Sequence, residues 1–112
     1  MANINVLDCT LRDGGYVNNW NFTSEQISST ITNLTNADID YIEIGYLTSI
    51  LGAVNGTQFQ NVETASRCLP KDRKQSKYLI MADVAQFDTD TLCPRDQNTI
   101  DGIRVVVYKR QI

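Results

Sequence analysis

Four short apolar runs begin near residues 4, 41, 78 and 103, so successive starts lie 37, 37 and 25 residues apart. Gaps of that length are too long for hairpins. They leave room for a crossover helix, which is what parallel strands require. Ile4–Asp8 is short, β-branched and alternating. Tyr41–Tyr46, Tyr78–Asp83 and Ile103–Tyr108 are close to continuously apolar, the pattern of strands covered on both faces. The chain therefore reads as α/β, a parallel (βα)3β unit with right-handed crossovers.

The intervening segments carry helix signals of uneven strength. Gly14-Gly15 breaks the first strand. Thr23 as N-cap with Gln26 three residues on makes a capping box, and Phe22 with Ile27 makes a hydrophobic staple. Ile27, Ile31 and Leu34 then repeat on one helical face until the pattern fades at Asn36-Ala37-Asp38. A second helix is expected over 61–69, with Val62, Ala65 and Leu69 on one face and Pro70 as its stop. Lys71 to Lys77 carries four basic residues and one Asp, readable as an anion patch or as a solvated loop between helix and strand. Phe87 to Asp101 has a poor helical pattern broken by Pro94, so at most one short helix is expected there.

At 112 residues the chain is one domain at most, large enough to bury a core without disulfides or a metal. A net charge of −3 gives no general attraction for nucleic acid or anionic lipid, and no apolar run approaches the length of a membrane span. Histidine is absent, which removes Ser-His-Asp triads, Cys-His dyads and imidazole-based zinc sites. Chemistry must come from Asp, Glu, Arg, Lys, Tyr, Cys or the backbone. Cys9, Cys68 and Cys93 are odd in number and too far apart in sequence for a metal or redox pair. The start of the chain has no basic and apolar leader pattern, so a reducing cytoplasm is expected, and the Asn-x-Thr sequons at Asn21, Asn33 and Asn55 read as chance.

Ligands of parallel α/β folds bind at the C-terminal ends of strands. The polar residues there are Arg12, Asp13, Gly14, Gly15 and Tyr16 after the first strand, Glu43 inside the second and Asp83 at the end of the third. Arg104 lies near the start of the fourth strand, which is the wrong end. Arg-Asp-Gly-Gly alone is also a common surface turn. Glu43 is more constraining, because a carboxylate inside an apolar strand needs a cation. Arg12 on the neighbouring strand is the expected partner. That pair could be purely structural, or Glu43 could hold Arg12 rigid toward a developing oxyanion.

Leu7-Asp8-Cys9-Thr10-Leu11-Arg12-Asp13-Gly14-Gly15-Tyr16, followed by Tyr41-Ile42-Glu43-Ile44-Gly45, resembles the start of the DRE-TIM metallolyases. This superfamily includes the HMG-CoA lyase-like and 4-hydroxy-2-oxovalerate aldolase-like enzymes and the isopropylmalate synthases. Leu7–Phe22 is most similar to the aldolases of that group. The resemblance implies that residues 1–112 form the first half of a TIM (β/α)8 barrel, an N-terminal half-barrel of a longer aldolase, since a whole barrel takes about 250 residues. It implies that Asp13 ligates a divalent cation, Mn2+ or Mg2+, in the full-length enzyme. Arg12 would stabilise an enolate oxygen of a 2-oxo acid, and Glu43 would orient Arg12. Tyr16 stands where the oxovalerate aldolases carry an acid–base His. The family's His-x-His metal pair has no counterpart in this chain.

The expected parent activity is metal-dependent aldolase or lyase chemistry on C–C bonds of 2-oxo or 4-hydroxy-2-oxo acids, with a small oxo acid and an aldehyde as substrates. The 112 residues alone are expected to bind metal weakly or not at all and to turn over little. The alternative is a non-catalytic binding or scaffold module that keeps the half-barrel without a complete metal site. Strand order 1-2-3-4 with helices on the outer face is expected, against a flavodoxin-like sheet that would put the first strand between the second and third. A half-barrel has open edges and an uncovered concave face, so a homodimer through the fourth-strand edge or that face is expected.

Overall fold

The computed structural model describes residues 4–49, 56–85, 87–88 and 99–107. In chain order the elements are β1 (Leu7–Asp8), α1 (Thr10–Asp13), α2 (Gly15–Asn18), α3 (Ser24–Asn36), β2 (Tyr41–Leu47), β3 (Gln58–Phe59), α4 (Val62–Ser66), β4 (Lys77–Asp83) and β5 (Gly102–Val106). All pairings are parallel, in the order β1-β2-β4-β5, with β3 on β2. The third and fourth strands expected from sequence are β4 and β5. The first strand lies at an edge and not between the next two, so the flavodoxin-like order is excluded. The fold is a parallel α/β sheet alternating with helices, a partial TIM-barrel-like domain.

β4 takes one edge of β2, while β1 and β3 share the other. β1 pairs at Tyr41 and Ile42, and β3 pairs at Tyr46 and Leu47. The first strand is shorter than Ile4–Asp8. The Val6 amide donates to the Asp40 carboxylate (2.7 Å) before the ladder begins, and the Thr10 amide donates to Asp8 Oδ1 (3.0 Å), turning the chain into α1. Tyr108, Pro94 and Cys93 lie outside the described residues.

α3 begins as its sequence dictates. The Gln26 amide donates to Thr23 Oγ1 (3.1 Å) and the Thr23 amide donates to Gln26 Oε1 (2.9 Å), which completes the capping box. Ile27 and Ile31 are buried, and Thr35 completes the same face. α4 is shorter than the expected 61–69. Asn61 caps it through the Thr64 amide, but Ser66 Oγ bonds back to the Val62 carbonyl (2.7 Å), a contact that weakens helix continuation.

The two faces of the sheet differ. Ile42, Ile44 and Leu47 of β2 and Tyr78, Ile80 and Ala82 of β4 join Ile27 and Ile31 of α3 in the buried core. A register irregularity lies between Glu43 and Tyr46, where three residues of β2 match two of β4. It shifts the alternation by one. Glu43 and Tyr46 therefore share the opposite face, with Leu79, Met81 and Asp83 of β4.

Candidate active site

The site begins where β1 ends. Asp8 accepts both the Thr10 amide (3.0 Å) and the Thr10 hydroxyl (3.1 Å), and α1 follows at once. Leu11 is fully buried, and its carbonyl accepts the Thr57 hydroxyl (2.6 Å). That anchor fixes the turn carrying Arg12 and Asp13 to the C-terminal end of β2. The stretch read as a possible surface turn is thus helical, with Gly14 linking α1 to α2.

Glu43 has no solvent exposure. Arg12 Nε donates to its Oε1 at 2.6 Å, so the expected pair is present. Arg12 Nη1 also donates to Asp13 Oδ1 at 3.2 Å. A second cation joins it that was not expected as a partner of Glu43: Arg104 Nε donates to Glu43 Oε2, and Arg104 Nη2 donates to Oε1 at 3.1 Å. Arg104 is the third residue of β5 and reaches across β4, so it sits at the same end of the sheet and not the wrong one. Arg104, like Glu43, is a charge within an apolar strand and needs a partner of opposite sign.

Burial opposes the charge on Arg12, and hydrogen bonding and attraction to Glu43, helped by Asp13, outweigh it, so its pKa lies above the ordinary value. Arg104 is raised chiefly by its hydrogen bond to Glu43. Both stay cationic at any working pH. Arg12 Nη2 and Arg104 Nη1 carry no hydrogen bond among the described residues.

The remaining expected residues take varied positions. The Asp13 side chain is 67% exposed and borders a shallow cleft with Leu7, Asp8, Cys9 and Thr10. Asp83 is buried at the end of β4, where its Oδ1 accepts the Ala85 amide (2.9 Å) in a local turn. Among the described residues no group of three or more Cys, Asp or Glu is arranged to hold a metal ion. Tyr16 lies on α2, 59% exposed, with its ring edge-on to Trp20 at 4.9 Å. Trp20 lies in turn 5.6 Å from the Tyr46 ring.

This aromatic row is built at a cost. Asn19 and Trp20 both have left-handed backbone angles (φ 56° and 64°). Asn tolerates that region, but for Trp it costs of order 1–3 kcal/mol. Gly15 supplies the notch: a Cβ there would lie 2.0 Å from the Trp20 ring. No sequence signal marks the contact of Trp20 with Tyr46, because the backbone angles and the β2 irregularity that place them are not encoded in a motif.

No known protein family matches the chain by sequence profile, and no curated protein sequence matches it. A solved structure does. The crystal structure of the N-terminal domain of a putative aldolase from Bacteroides vulgatus superposes with a TM-score of 0.61 and 30% identity, over 80% of this chain. The fold is aldolase-like. The chain spans 29% of that neighbour's length. In this aldolase-like chain the face opposite the helices carries a buried carboxylate clasped by two arginines, and Tyr46 on that face packs against Trp20. Among the described residues no helix is long and apolar enough to cross a membrane.

Proposed function

We propose that this aldolase-like chain is the N-terminal part of a metal-dependent aldolase or lyase of the DRE-TIM type, acting on C–C bonds of 2-oxo or 4-hydroxy-2-oxo acids. The observation that carries this reading is the clasp itself. A fully buried Glu43 holds Arg12 Nε at 2.6 Å, next to Asp13, at the C-terminal edge of a parallel sheet. A surface turn has no use for a buried counter-ion, whereas a guanidinium fixed before substrate arrives is what a developing oxyanion requires. The neighbour's description as an aldolase supports the same class.

Cleavage beside a carbonyl leaves its electron pair as an enolate, with negative charge on oxygen. Arg12 would donate to that oxygen, and Glu43 would keep the planar fork aimed at it. Tyr16 would donate or accept the proton at the hydroxyl of the 4-hydroxy acid. A phenol with an ordinary pKa of about 10 does this only in a tuned site. Asp13 would contribute one ligand to Mn2+ or Mg2+, which supplies Lewis-acid polarisation of the carbonyl when bound. One carboxylate does not organise an octahedral ion, so the described residues do not make a cation site by themselves.

The test uses the full-length protein, with pyruvate and a panel of aldehydes, with and without Mn2+. Metal-dependent aldol formation is expected. Arg12→Lys, which keeps the charge but loses the fork, should lower kcat about 10²–10³-fold. Unchanged turnover would overturn the oxyanion role of Arg12.

A further inference from the structure

Glu43 has more cation around it than its charge requires. Arg12 alone neutralises it, yet Arg104 reaches it as well, from β5 across β4. The two arginines hold it differently. Arg12 meets one oxygen, Nε to Oε1 at 2.6 Å. Arg104 meets both, Nε to Oε2 and Nη2 to Oε1 at 3.1 Å, which is the two-pronged grip of a guanidinium on a carboxylate. The two guanidinium groups therefore share Oε1.

That difference matters because the last torsion of a glutamate is soft. Rotation of its terminal carboxyl group is broad and roughly two-fold. One hydrogen bond to one oxygen lets the carboxylate turn, and Arg12 turn with it. A fork on both oxygens fixes the plane of the carboxylate, and so the place of Oε1. Among the described residues Glu43 is the one buried anchor of the Arg12 guanidinium. The other hydrogen bond of Arg12, to Asp13 Oδ1 at 3.2 Å, goes to an exposed side chain in the same turn. The direction of Arg12 follows Oε1, and Oε1 follows Arg104.

Charge argues the same way. Arg12 is bonded to two carboxylates, Glu43 and Asp13. Those three groups alone carry a net negative charge, which repels an approaching oxyanion. Arg104 brings the cluster to neutrality.

We propose that Arg104 is a positioning residue: its fork fixes Glu43, and Glu43 fixes the aim of Arg12. Resting on the reaction proposed above, this makes Arg104 necessary for turnover through Glu43, and makes β5 part of the site although β4 separates it from β2.

The test reads Arg12 directly. An Nε–H held on a buried carboxylate exchanges slowly with water, so its 15N–1H resonance is protected. In the 15N-labelled 112-residue chain, without metal or substrate, the Nε–H resonances of Arg12 and Arg104 should both be protected. In Arg104→Lys, which keeps the charge but loses the fork, the Arg12 resonance should shift and exchange about tenfold or more faster. In the full-length protein, with pyruvate, an aldehyde and Mn2+, the same variant should lower kcat about 10–100-fold and leave KM for the oxo acid within about twofold.

A purely structural Arg104 would change the fraction folded, while the Arg12 resonance and kcat per folded molecule stayed those of the parent. Either constancy overturns the proposal. An unprotected Arg104 Nε–H in the parent chain overturns it without any variant, so the question is decided even where Arg104→Lys does not fold. Full-length protein with no lyase activity would defeat the reaction proposed above, and the Arg12 resonance would still decide the positioning.

Discussion

Tyr78 is a phenol with no solvent exposure, its hydroxyl 2.8 Å from Thr35 Oγ1, which itself donates to the Ile31 carbonyl. Burial pushes the Tyr78 pKa above the ordinary value of about 10, against smaller lowering effects of Thr35 and Arg73. The unfolded chain therefore loses this proton at a lower pH than the folded one. Above about pH 10 the unfolded state holds fewer protons, and stability falls as pH rises. Urea melts between pH 8 and pH 11 should show that decline, and Tyr78→Phe should make it shallower. An identical slope in the variant would show that Tyr78 does not govern it. Residue-scale legibility was uneven in the same sense. Glu43 stood out because a carboxylate in an apolar strand demands a partner, and Arg12 was the nearest candidate. Arg104 does not stand out, because its distance from the start of a strand says nothing of its level in the sheet. Register decides instead: Glu43 faces Leu79, Leu79 faces Gly102, and Arg104 lies two residues further on the same face.

At the scale of elements, α1, β2 and β5 are tied by one carboxylate. Removing either arginine leaves Glu43 with the other, while removing both strands a charge with no solvent exposure. Arg12→Gln and Arg104→Gln should each cost about 1–2 kcal/mol, and Arg104 the less because it is more exposed. The double variant should cost more than their sum, reaching about 3–5 kcal/mol. A double-mutant cycle by denaturant unfolding reads this directly, and strict additivity would mean the two arginines do not share Glu43. The long elements were legible: α3 from its capping box and apolar face, and β2, β4 and β5 from their apolar runs and spacing. The short ones were not. α1 and α2 are single turns held by Asp8, by Leu11 in the core and by Trp20 against Gly15, which are tertiary causes with no local periodicity. β3 is two residues that exist because the Tyr46 amide finds the Thr57 carbonyl (2.9 Å).

At the scale of the molecule, both margins of the described sheet carry exposed apolar side chains. On one side Ile4 and Val6 are exposed, and on the other Val105 of β5 and Val107 just beyond it are about half exposed; among the described residues β5 pairs with β4 alone. An edge strand of that composition recruits another strand. A two-fold contact satisfies it without forming filaments. The 112-residue chain should therefore scatter light at micromolar concentration as a particle of about twice its 12.6 kDa mass. Val107→Lys should return it to a monomer or make it aggregate, since a lysine in an apolar contact has no counter-charge. A clean monomer of the parent chain would defeat the dimer.

The irregularity in β2 has a consequence for how this chain tolerates change. Below it the strand keeps one phase of in and out, and above it the other, so Ile44 and Leu47 both reach the core although they are three residues apart. Strict alternation over the same seven residues would send Tyr46 among the helices and Leu47 to the opposite face. Losing one residue between Glu43 and Tyr46 would remove the irregularity and leave both on their present faces. The extra residue, and not the spelling of its neighbours, decides which way the upper half of the strand points.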